Sequence, residues 1–80
     1  MNTMETRHST RQLRCIDAQG NVHHVAQALE EVRILTVHGH WSDWGIRQEL
    51  LMLGHQQIRR LSATELESGS PPQRLTLLEE

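Results

Sequence analysis

The chain has no Phe, no Tyr and no Lys, a single Cys, and no long apolar run in its 80 residues. Each gap excludes something. Without Phe and Tyr, nearly all the buried area must come from Val, Ile, Leu, Met and two Trp, in a chain of a size that closes one modest core. With Cys15 alone, an internal disulfide and hence a stapled secreted fold are impossible. The longest apolar run, Leu50 to Leu53, is far too short to span a bilayer. The opening MNTMETRHSTRQLR has no apolar segment of signal-peptide type, so the expected location is the cytoplasm. Arg7, Arg11, Arg14, Arg33, Arg47, Arg59, Arg60 and Arg74 carry all the strongly basic charge. Codon bias in a GC-rich genome accounts for this more simply than selection for bidentate donors. The formal charge of −2 favours neither nucleic acid nor an anionic membrane as partner.

Residues 1–10 are polar and aperiodic and read as a flexible N-terminal arm, with residues 11–80 as one small domain. Asp17-Ala18-Gln19-Gly20-Asn21 has the chemistry of a type I turn closed by a glycine bulge, with Asp as cap and Gly20 left-handed. That turn predicts a hairpin with Cys15 opposite His23, Leu13 opposite Val25 and Ile16 opposite Val22.

Beyond the hairpin, helix and strand compete over 26–33 and 43–62. AQALEEVRIL holds good helix formers, whereas VRILTV is rich in β-branched residues. We expect strand 2 to reach about Leu29, a short connection at Glu30-Glu31 or one helical turn over 28–32, then a strand from Val32 to Val37. Ser42 could cap a helix near 43–53 with Ile46, Leu50 and Leu53 on one stripe. The rival is a hairpin, IRQELLML and QQIRRLS around a type II′ turn at Gly54-His55. Ser68-Gly69-Ser70-Pro71-Pro72 breaks the pattern, and RLTLL reads as a last strand.

Leu13-x-Cys15-x-Asp17-x-x-Gly20, Gly45-x-x-x-Glu49-Leu50-x-x-Leu53-Gly54 and Ile58-x-x-Leu61-Ser62-x-Thr64-Glu65-Leu66 together resemble short bacterial β-proteins of unknown function. The likeness spans residues 12–78 and rests on turn and core positions, with Leu66 where an aromatic residue is expected. It implies the hairpin over the helix and brings no activity. The resulting expectation is a mainly β fold, a small antiparallel meander or partly open barrel of about five strands. The alternative is α+β with a helix near 43–53.

VHGHWSDWG, residues 37–45, concentrates His38, His40, Trp41 and Trp44. One Trp should anchor the core while the other stays partly exposed beside His38 or His40 as the binding residue. A zinc site, if any, would draw on Cys15, His23, His38 and His40, but CxxC and HExxH are both missing. Surface histidines and a small buried thiol explain the same residues. Cys15 with His23 as nucleophile and base needs an open, electropositive setting that a mid-strand position rarely supplies. No nucleophile elbow, phosphate-binding glycine loop or carboxylate pair is present, so we expect no enzyme, no catalytic residue and no cofactor. Arg7, Arg11 and Arg14, with Arg59-Arg60, could serve a small nucleic-acid-binding regulator. With no Phe or Tyr, only the two Trp could serve as stacking platforms, and pairing with carboxylates explains the arginines better. The reading that remains is a protein-interaction module whose partner is another protein or a second copy of itself.

Overall fold

The computed structural model describes residues 3–69 and 71–78. Six strands follow one another: β1 (Met4–Ile16), β2 (Val22–Ile34), β3 (Gly45–Leu53), β4 (Gln56–Arg60), β5 (Glu65–Ser68) and β6 (Gln73–Leu77). Each is antiparallel to the next, and β6 returns to β1 to close a barrel. The fold is therefore the small antiparallel β barrel expected, all-β, with six strands and a closed sheet. The helix considered near 43–53 does not form; those residues supply β3.

The first hairpin forms as its turn chemistry dictates. Asp17 Oδ1 accepts the Gln19 and Asn21 amides at 2.9 Å each, and Gly20 takes φ 86°. Cys15, Leu13 and Ile16 lie opposite His23, Val25 and Val22 as expected. The ladder then continues without interruption to Met4 opposite Ile34. Met4 to Thr10 are thus strand residues, not part of an arm outside the fold; Met1 and Asn2 lie outside the described residues. Likewise there is no connection or helical turn at Glu30-Glu31. β2 runs straight through, held between β1 and β3, so helix propensity yields to pairing on both edges. The Gly54-His55 turn has Gly54 at φ 63° and His55 at negative φ, the signature of type II′.

Alternation places Leu13, Cys15, Val25, Leu51, Ile58, Leu66 and Leu75 in the barrel interior. Their inward-facing neighbours are polar at both ends. Asp17 and His23 lie at one end, where Gln73 Nε2 also approaches Asp17 at 3.4 Å. Gln27, Glu49 and Arg60 lie at the other. The short apolar column thus has a hydrogen-bonded plate at each end. A barrel this narrow is filled by aliphatic side chains and the Cys15 thiol, and neither Trp enters it.

Candidate functional site

Only the last two residues of β1 pair with β6, and only Leu51 to Leu53 of β3 pair with β4. The rest of β1, β2 and β3 leaves the barrel as a three-stranded arm, which gives the molecule its 52 × 24 × 18 Å extents. Beyond β2 the chain turns back through Thr36-Val37-His38-Gly39-His40. Thr36 N–H bonds to His40 O, Gly39 N–H bonds to Thr36 O, and Gly39 takes φ 83°. The same hydrogen-bond pattern and left-handed glycine close the Asp17–Asn21 turn at the other end of β2. An isolated bridge between Leu35 and Trp41 completes the tip.

The two faces of the arm differ. On the face continuous with the core, Glu5 lies opposite Arg33 and Arg7 opposite Glu31, with bonds of 2.7 and 3.1 Å from the respective Arg Nε atoms. The Trp44 ring covers both guanidinium groups, at 4.2 Å from Arg7 and 4.8 Å from Arg33. Trp41 approaches Arg33 at 4.9 Å. One guanidinium therefore contacts two indoles and a carboxylate, an arrangement that suits a delocalised cation. Both rings are half-buried. The expectation that one ring would anchor the core is corrected: both are partly exposed, and each lies against arginine on the arm.

The opposite face carries Met4, Ile34 and Leu50 exposed, with half-buried Val32, Ala28 and Met52 between them. His8 Nε2 and Glu30 Oε1 meet at 2.9 Å, and Arg47 Nε lies 3.1 Å from the other oxygen of Glu30 as an ion pair. A shallow depression of about 230 Å³ lies beside them, between Thr10, Ala28 and Leu50. Among the described residues nothing covers this face.

His38 and His40 stand exposed at the tip with stacked rings, 6.2 Å between centroids. Cys15 and His23 are neighbours at the far end of β2, about 35 Å away at ~3.3 Å per strand residue. The four candidate zinc ligands do not converge, and no group of three His, Cys, Asp or Glu side chains suited to a metal occurs among the described residues. Cys15 is fully buried; desolvation pushes its thiol pKa up, and the nearby charge of Arg60 only partly opposes this. Its neighbour His23 is engaged by Asp17 instead. The thiol is a core side chain.

Most of the arginines are spoken for. Arg7, Arg33, Arg47, Arg59, Arg60 and Arg74 each meet a carboxylate. The most enclosed set escaped the sequence reading. Arg11 Nε donates to Gln27 Oε1 at 2.8 Å, and Gln27 Nε2 donates to Glu49 Oε2 at 2.6 Å. Arg60 grips Glu49 bidentately at 2.8 and 3.0 Å, and its Nη1 reaches the carbonyls of Ser62 and Ala63. The Arg60 bonds hold Glu49 below the usual carboxylate range, and Glu49 in turn raises the pKa of Arg60. The available signal was alternation, since Arg11 and Gln27 share a face with Leu13 and Val25.

Two strand edges of the arm are bare. The bonds Leu35 N–H to Thr3 O and Asp17 N–H to Asn21 O bracket the β1–β2 ladder, so odd-numbered β1 residues bond to β2. Thr6, His8, Thr10 and Gln12 consequently point their main-chain N–H and C=O outward, with no strand beside them among the described residues. The β3 edge is interrupted. The register shift between Glu30 and Glu31 leaves Arg47 as a bulge, a feature that blunts strand pairing. Among the described residues no helix is long and apolar enough to cross a membrane. No family model, curated protein or solved structure matches the chain.

Proposed function

We propose that the chain is a non-enzymatic protein-interaction module of the bacterial cytoplasm and that the arm is its binding element. One observation carries this reading: the β1 edge from Met4 to Gln12, unpaired among the described residues, borders a face that exposes Met4, Ile34 and Leu50. An edge of that kind accepts a further strand through main-chain bonds, and the adjoining apolar side chains add buried area. The barrel acts as the support that keeps the edge straight. Trp41 and Trp44 belong to this reading as braces of the arm, through Arg7 and Arg33, and His38 and His40 as its tip. A nucleic-acid role is less favoured because four of the five arginines that would serve it are engaged, Arg7, Arg59 and Arg60 by carboxylates and Arg11 by Gln27.

The test is affinity capture from extracts of the host cell, followed by amide hydrogen exchange of the chain with and without the captured protein. Protection at Thr6, His8, Thr10 and Gln12 is the expected result. Fast exchange at these four amides both in the concentrated chain alone and in the complex overturns the assignment of the arm.

A further inference from the structure

We infer that the β1 edge pairs with the β1 edge of a second copy of this chain, antiparallel about a two-fold axis at His8. The inference rests on the arm being an interaction surface and names its partner. Three observations lead to it.

The first is the choice of edge. Among the described residues β1 is bare over Met4–Gln12, without proline or register shift, whereas β3 is broken by the Arg47 bulge. Pairing β1 with β3 of another copy would be head-to-tail and would propagate into filaments; β1 with β1 closes on itself as a dimer. The bulge obstructs the open-ended mode and leaves the closed one free.

The second is register. Residues that point their main chain outward must face each other, so the axis can lie on Thr6, His8 or Thr10, or on Arg7 or Ser9 between them. An axis at Arg7 sets Arg7 against itself, and one at Ser9 sets Arg7 against Arg11. An axis at Thr10 needs the Arg14 carbonyl, which already accepts Leu78 N–H. An axis at Thr6 leaves Thr10 to Gln12 bare. With the axis at His8, Glu5 of each copy faces Arg11 of the other, Arg7 faces neutral Ser9, Thr6 faces Thr10, and Met4 faces Gln12. This register uses the whole bare stretch and opposes unlike charges at both ends.

The third is the continuity of the result. The two arms become one six-stranded sheet with β1 at its centre. The exposed apolar side chains of Met4 and Ile34 from both copies then flank a strip of Thr and His rather than a solvent edge.

Sedimentation of the full chain over a concentration series should show a dimer. Thr10→Pro removes an amide that faces away from β2, so the fold persists while two interchain bonds disappear, and dimerisation should weaken about tenfold or more. Circular dichroism of Thr10→Pro establishes that it is folded. Register is read by oxidative cross-linking: His8→Cys should link to itself. Thr6→Cys should not link to itself but should link to Thr10→Cys in a mixture. Self-linking of Thr6→Cys in place of His8→Cys would overturn the register. A monomer at every concentration would overturn the second copy as partner. Hydrogen-exchange protection of the arm by a captured protein would in that event leave the interaction reading standing, and its absence would remove both.

Discussion

Across the first hairpin, His23 Nε2 donates a 2.7 Å hydrogen bond to Asp17 Oδ2, while the other carboxylate oxygen holds the turn amides of Gln19 and Asn21. One side chain thus fixes both the turn and the strand that leaves it. The His23 bond, and after it the Asn21 amide, lower the Asp17 pKa from 3.8 to about 2.

That shift makes stability depend on pH with a definite sign. The unfolded chain, with the weaker acid, takes up the proton first as pH falls, so the contribution is whole above the unfolded value of 3.8 and is lost as pH falls through about 2. In urea melts the wild type should lose stability between these values more steeply than Asp17→Asn, which starts less stable. Parallel curves for the two proteins would show that the carboxylate does not act this way.

Gly20 and Gly39 occupy the same place in two turns of the same hydrogen-bond pattern, at φ 86° and 83°, and a Cβ at either meets no atom within 4 Å. The cost of alanine there is conformational rather than steric, about 1 kcal/mol at each site. Gly45 has ordinary backbone, and a methyl group there would meet only the Val32 carbonyl, at 3.9 Å, so it should accept alanine without loss. Denaturant melts of the three variants check this, and equal effects at all three would contradict it.

Neither indole belongs to the core, so Trp41→Ala and Trp44→Ala should both stay folded. Each loses roughly 1 kcal/mol or less from its cation contacts, with Trp44→Ala the more costly because its ring covers Arg7 as well as Arg33. Near-ultraviolet circular dichroism and thermal melts read this directly. Global unfolding of either variant would mean that arm and barrel stand or fall together through these rings.

Thr36 Oγ1, at the foot of the tip turn, is the buried side-chain polar atom without a hydrogen-bond partner among the described residues. Thr36→Val replaces it with a methyl of similar shape and removes the desolvation cost. Stabilisation of up to about 1 kcal/mol is expected, measured by the midpoint of thermal unfolding. A loss of stability would show that the hydroxyl has a partner in solution.

The elements legible in the sequence were those with local chemistry. Asp17 with Gly20, and Gly54 before His55, name their turns through side-chain bonding and left-handed backbone, and each turn fixes the register of its hairpin. Glu30 and Glu31 misled because nothing local states that β2 has partners on both sides; helix formers read as a break where the strand passes through. The tryptophans misled for a related reason. Scarcity of aromatics suggested a core role, but the width of the barrel decides what fits inside, and width follows from closure between distant strands. The tip loop held all four residues singled out as binding candidates, yet the arginines that hold the rings, Arg7 and Arg33, lie elsewhere in the chain.

The β1–β2 ladder grows outward from a single turn, each rung adding one residue on either side, so the hairpin can zip up as soon as β2 has been made. The seam that closes the barrel is of another kind: Cys15 meets Leu77 and Ile16 meets Thr76, partners far apart in the chain. Their meeting waits on the hairpins between them, each of which shortens the loop that remains to be closed. During synthesis the arm and its bare edge therefore exist before the barrel does. A nascent chain passes through a stage in which its pairing edge is displayed while its core is still open to water.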